Sequence, residues 1–262
     1  MTKYKPYSRR ELQHGFGTWV RRNTKVIALL TVGAIGLLAL EIFLLVILGP
    51  AAAWSWYTLG VTHAVVVAAY LYLLQTAFLA HDRAAIFHLR GAWGEDNTRS
   101  ELQRAKRKHL LWGWVDSISL QAGDIDHLVV TRHGGLVAVD SKWRNQHTSG
   151  DANDMAREAR KVRLRAEGVT RTILSRERTS RHRASGDPWR VTPVVVLWGA
   201  AQDGVPENAR IDGIDFVAGR RFVDWLARLD GHPVSKDAAS DVLARLEDYR
   251  SGAWKSTQRA DR

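Results

Sequence analysis

The sequence has no cysteine, only two methionines and only six prolines in 262 residues. Without cysteine, neither a disulfide framework nor a thiolate zinc site can form. Any chemistry therefore falls to carboxylates, hydroxyls, His, Lys and Arg. There is no GxxxxGK[ST] segment, which argues against ATP-driven action. A further absence is local: residues 26–80 contain no Lys or Arg, and Glu41 is their one acid. The formal net charge of +11 is thus carried on either side of that stretch. Residues 1–25 hold seven basic residues against one acid, and residues 81–262 hold 31 against 25.

This stretch contains two apolar runs, residues 26–48 and 58–80, each as long as a bilayer-spanning helix requires. Gly49-Pro50 breaks the helix between them, and Trp54, Trp56 and Tyr57 suit a membrane interface. A cleaved signal peptide would have a shorter apolar core and no second run directly behind it. The expectation is a transmembrane hairpin. Arg21, Arg22 and Lys25 precede the first run, Arg83 and Arg90 follow the second, and the connection has no basic residue. The positive-inside rule then places both termini in the cytoplasm, with residues 1–25 as a basic cytoplasmic arm and the protein multi-pass in the inner (plasma) membrane. Glu41 within the first run is costly in lipid and reads as a helix–helix hydrogen bond or a protonated carboxyl.

Beyond residue 90 the pattern is that of an α/β domain. "GEDNTRSELQRAKRKHL" reads as a helix over 94–110, "LWGW" as a turn, and "VDSISL" as a strand. "IDHLVV" and "GLVAVDSK" form a hairpin, and a long polar helix is expected over 153–177, with Met155, Ala159, Val162, Leu164, Ala166 and Val169 as its apolar positions. "VTPVVVLWG" is a short apolar run suited to a strand covered on both faces, with Pro193 tolerable only near its start or at an edge. "GIDFVAG" adds a strand, and "RRFVDWLARL" and "AASDVLARLEDY" add helices. A core over 90–200, completing elements over 201–252 and a disordered tail over 253–262 are expected.

The hairpin carries charges where strands usually bury apolar groups. Alternation puts Asp140 and Lys142 on one face with Ala138. A three-residue loop, Arg132-His133-Gly134 with Gly134 in the left-handed region, sets Asp126 directly opposite Asp140. Two adjacent carboxylates repel unless a cation lies between them. A hard divalent ion with oxygen ligands, Mg²⁺ or Mn²⁺, answers that requirement, with Lys142 placing positive charge beside a phosphodiester. The blander reading is a strand-end aspartate and a surface ion pair worth little.

These residues resemble a known family. "GAWGEDNTRSEL", "GDIDHLVV", "GLVAVDSKW" and "PVVVLWG", in that order between Arg90 and Gly199, resemble the nuclease-related domain (NERD), a branch of the PD-(D/E)xK nucleases. The resemblance implies a restriction-endonuclease-like αβββαβ core with C-terminal helices. It implies that Glu95 is the acid of the first helix, Asp126 the metal-binding aspartate, and Asp140 and Lys142 the (D/E)-x-K pair. Asp140 stands where related domains commonly carry Glu. Catalytic residues Glu95, Asp126, Asp140 and Lys142, with Glu95, Asp126 and Asp140 as metal ligands, follow as expectations.

Between residues 157 and 183 ten arginines and lysines face three glutamates. Arg157, Arg160 and Lys161 are candidate contacts for a nucleic-acid backbone, or for anionic lipid. Trp112, Trp114, Trp143 and Trp198 read as core or rim packing, and His81, His88, His127 and His133 as structural. The expected function is metal-dependent hydrolysis of nucleic acid, DNA in the first instance, by a membrane-anchored domain. The alternatives are a tethered binding module without catalysis and a membrane-surface interaction protein.

Overall fold

The computed structural model describes residues 7–48, 53–120, 123–146, 149–175 and 190–260. It divides into two compact units, residues 1–89 and 90–262. Gly49-Pro50 lies outside the described residues.

The first unit is helical: α1 Tyr7–Arg22, α2 Thr24–Leu48 and α3 Ala53–His81, followed by the start of α4 Arg83–Arg107. The expected basic arm is therefore largely a helix. Its Trp19 is buried against Phe78 and Ala85, because apolar residues at 12, 16, 19 and 20 share one helical face. Segments Thr24–Leu44 and Trp56–His81 are long and apolar enough to cross a membrane, by length and composition. Leu29, Val32, Ile35, Val46, Val65 and Tyr72 point outward rather than into a core. Polar groups link the two helices: the hydroxyls of Thr31 and Tyr70 lie 2.6 Å apart, and Glu41 Oε2 comes within 3.6 Å of His63 Nδ1. Asp82 caps α4, its Oδ1 accepting the amides of Ala84 at 2.9 Å and Ala85 at 3.3 Å. That cap starts α4 eleven residues ahead of the expected position 94. The helix stops where His109 turns to a φ of 58°, past a basic last turn that suits the negative end of the helix dipole.

The second unit is an open mixed sheet with helices on both faces. Its strands are β1 Leu111–Ile118, β2 Ile125–Thr131, β3 Leu136–Trp143, β4 Val191–Trp198, β5 Arg210–Ile211 and β6 Ile214–Ala218. The helices are α4, α5 Ser149–Ser175, α6 Phe222–Ala227 and α7 Lys236–Ala260, with 3₁₀ turns at Ala200–Gly204 and Gly219–Arg221. The strand order is β1-β2-β3-β4-β6-β5, with β1, β2 and β3 antiparallel in sequence and β3, β4 and β6 parallel. A parallel β3–β4 pair needs a crossover, and α5 lies within it.

Residues 111–114, expected as a turn, are the first half of β1. Leu111, Gly113 and Val115 are buried and alternate with half-exposed Trp112 and Trp114, a period-two pattern broken by one irregularity between Leu111 and Gly113. Pro193 occupies the third position of β4, one residue before pairing with β6 begins at Val194, so its missing N–H costs the ladder nothing there. One face of the sheet packs Leu128, Val130 and Ala138 under α5 and α7. The other packs Val129, Val137 and Val139 under α4 and α6. Leu164 faces solvent at 57% exposure, because it lies two residues from both Val162 and Ala166 and so on the far side of α5. Helix α7 continues to Ala260 through a stretch expected as a disordered tail; AWKSTQRA contains no glycine or proline to end it.

Candidate active site

The hairpin register follows the expected pairing. His127 pairs with Val139, Leu128 with Ala138 and Val130 with Leu136, so the next step outward sets Asp126 opposite Asp140. The loop differs in detail. Gly135, with φ 69°, takes the left-handed conformation, and Gly134 does not. Gly134 is instead required by close approach, because a Cβ there would come within 2.6 Å of Leu229 Cβ.

Along β3, Val137, Val139 and Ser141 face α4, and Ser141 Oγ donates to Thr98 Oγ1 on that helix at 2.8 Å. Ala138, Asp140 and Lys142 take the opposite face, toward α5. Lys142 Nζ sits 2.8 Å from Asp140 Oδ1. Asp140 is 4% exposed, and its Oδ2 is buried with no hydrogen-bond partner. Asp126 Oδ2 accepts the Ser141 amide at 2.8 Å. Burial, then the neighbouring charges of Asp140 and Glu95, push the Asp126 carboxyl up to about 7, against the pull of Lys142 and His127. Lys142 is shifted upward: burial disfavours its charge, but the Asp140 and Asp126 carboxylates outweigh that.

Glu95 is buried on α4, where the helix lies close to the end of β3: a Cβ on Gly94 would sit 3.7 Å from the Trp143 amide nitrogen. Glu95 is thus felt by Asp126. Even so, among the described residues no group of three or more His, Asp and Glu is drawn together to hold a metal ion. The structure sets Asp126 beside Asp140, holds Lys142 against Asp140, and brings Glu95 near enough for its charge to act on Asp126. Two carboxylates, one with an orphaned buried oxygen, fit a hard divalent ion that completes its shell with water and phosphate oxygens.

A second polar cluster was not foreseen from the sequence. Asp116 of β1 pairs with His127 of β2, and its Oδ1 lies 2.7 Å from His127 Nδ1. Asp116 also accepts Trp114 Nε1 at 2.9 Å and both Nε and Nη2 of Arg99. Burial alone would raise the Asp116 pKa, but His127 and Arg99 hold it below the ordinary range. His127 is 2% exposed, and its Nε2 is buried without a hydrogen-bond partner. An aspartate within the alternating run VDSISL, opposite the histidine of IDHLVV, was the available signal. Lacking the strand register, it could not be read.

The basic row on α5 is not a uniform positive face. Arg157 pairs with Asp154, Arg160 with Asp212 at 2.9 Å, Lys161 with Glu158 at 2.7 Å and Arg163 with Glu167 at 3.5 Å. Arg176, Arg178, Arg181 and Arg183 lie outside the described residues.

An open mixed sheet flanked by helices, in this strand order, matches a restriction-endonuclease-like fold. Residues 90–198 match the family model of the nuclease-related domain, NERD. A nuclease-related segment, allied to the PD-(D/E)xK nucleases, is therefore present in this chain. Neither the curated proteins nor the solved structures yield a match to it.

Proposed function

We propose that the chain is a membrane-anchored hydrolase whose second unit cleaves phosphodiester bonds of nucleic acid, DNA in the first instance, with Mg²⁺ or Mn²⁺. The observation that carries this reading is the Asp126–Asp140 pair on one face of the hairpin with Lys142 held against Asp140. In this reading Asp126, Asp140 and Glu95 would hold the ion. When bound, the ion supplies an activated water and stabilises charge on the phosphate. Lys142, less than a third exposed, presents an ammonium to the non-bridging phosphate oxygens at the edge of a low-dielectric site. Asp140 orients that ammonium, and the Ser141 amide fixes the Asp126 carboxylate. Arg157, Arg160 and Lys161 would bind backbone phosphates by exchanging their present acid partners for them.

The anchor is the pair α2 and α3, whose outward apolar side chains suit lipid. Arg21, Arg22 and Lys25 on one side and Arg83 and Arg90 on the other, with no Lys or Arg between, support a cytoplasmic second unit.

The test is cleavage of end-labelled DNA by the detergent-solubilised full chain with Mg²⁺ or Mn²⁺. The wild type should cleave and lose activity with chelator. Asp126→Ala and Lys142→Ala should fall by about 10²-fold or more. A wild type inactive with both metals sinks the hydrolase reading. The second reading, a tethered binding module, is favoured by the closed Lys142–Asp140 ion pair and by the absence of a third assembled ligand among the described residues. It is expected to show salt-sensitive binding without cleavage.

A further inference from the structure

Trp93 of α4 and Trp143 of β3 form a ring pair, their centroids 5.5 Å apart and their planes tilted by 58°. Of the large apolar residues described from Arg90 onward, only Trp93 and Leu164 are exposed, Trp93 at 46%. The other tryptophans whose side chains are described in this unit, apart from Trp143, are accounted for by the fold. Trp198 donates to Thr98, Trp114 to Asp116 and Trp112 to the Val234 carbonyl, while Trp225 stacks on buried Phe222. Among these described tryptophans Trp93 alone leaves nearly half its surface open, where burial of an indole would be favourable.

Its position adds to this. Trp93 immediately precedes Gly94 and Glu95, and Trp143 immediately follows Lys142. Alternation sends the Lys142 and Trp143 side chains to opposite sides of the same strand tip. Arg144 is exposed next to them and donates Nη1 to the Trp143 carbonyl at 3.1 Å. A nucleotide strand passing over this tip would bring a phosphate toward Lys142 and a base toward the rings. Glu95 and Asp96, in the next part of α4, would repel a phosphate there but not a neutral base.

We infer that Trp93 and Trp143 form a stacking platform for an unpaired base, which makes single-stranded or frayed nucleic acid the preferred substrate class. This rests on the nucleic-acid reading above. Base faces are open in a single strand and hidden inside a duplex. A platform of this kind therefore selects single strands without reading sequence, and duplex binding depends on phosphate contacts alone.

The experiment measures binding to the full chain in detergent with chelator, so that hydrolysis plays no part. The probes are a labelled oligothymidylate of about 12 nucleotides and a labelled blunt-ended hairpin duplex, followed by fluorescence anisotropy at fixed salt. Trp93→Ala should weaken oligothymidylate binding by about 5- to 100-fold, Trp93→Phe should retain most of the affinity, and duplex binding should be unchanged. Unchanged oligothymidylate binding in Trp93→Ala overturns the platform, as does a parallel loss on both probes. A wild type that binds neither probe overturns the nucleic-acid reading and the platform with it. A wild type that binds both but ignores Trp93 overturns the platform alone.

Discussion

The ammonium of Lys142 lies 2.8 Å from one oxygen of Asp140, while the other oxygen of that carboxylate is buried without a hydrogen-bond partner. Asp140 has one oxygen committed to a cation of the chain and one without any protein partner.

Removing the lysine leaves a buried carboxylate without its counter-charge. Lys142→Ala should therefore lower stability by about 2 kcal/mol, less than a fully buried pair would lose because the lysine side chain is 29% exposed. Adding Asp140→Asn should restore much of that loss, since no orphaned charge remains, and the two changes should be non-additive. Thermal unfolding of the solubilised full chain, followed by near-UV circular dichroism, checks both.

Asp126 sets a pH dependence. Its carboxyl is raised from 3.8 to about 7 in the fold, so between those values the folded chain keeps a proton that the unfolded chain has released. Stability should fall as pH rises through that window, by at most about 1.4 kcal/mol per pH unit, and this contribution should level off above it. Asp126→Asn should remove the slope. Unfolding measured in chelator from pH 4 to 8 decides it, and an unchanged slope in the variant would refute the assignment.

The Asp116 cluster predicts the opposite trend. A carboxylate held below its ordinary range contributes stability above its unfolded value of 3.8, and loses it as pH falls further. Asp116→Ala should cost about 3 kcal/mol, because it strands the buried His127 and removes the acceptor of Arg99 and Trp114. Asp116→Asn should cost less. Comparing the two melting curves at pH 7 tests the ranking.

Two glycines should respond in opposite directions to alanine. A Cβ on Gly219 would meet the Trp198 ring at 2.5 Å, so Gly219→Ala should destabilise by about 1–3 kcal/mol. At Gly168, inside α5, a Cβ meets nothing within 4 Å, and Gly168→Ala should stabilise by about 0.5–1 kcal/mol. Equal shifts in melting temperature would contradict the packing argument.

Much of this protein was legible in its sequence because the signals are local. Two apolar runs free of Lys and Arg announced two long apolar helices, and period-two alternation announced the β2–β3 hairpin. A loop of fixed length then determined which residue opposes Asp140, since a slip of one position would have turned Asp126 to the other face. Leu111–Trp114 reads locally as a turn, and its strand character comes from distant partners: Gly113 pairs with Val130 and lies beside the Leu243 side chain, 130 residues further on. The start of α4 was missed because it depends on a cap from Asp82.

The sequence by itself determined the split between an apolar helical segment and a charged α/β unit, the order of the main helices and strands of that unit, and the facing of two aspartates, because each follows from side-chain periodicity and chain length. Only the tertiary structure decided that Lys142 engages Asp140, that no three His, Asp or Glu among the described residues close into a ligand set, that Asp116 joins His127 and Arg99, and that Trp93 meets Trp143. Those relationships join residues on different elements, and the distances between them are set by how α4 and β1 pack against β2 and β3.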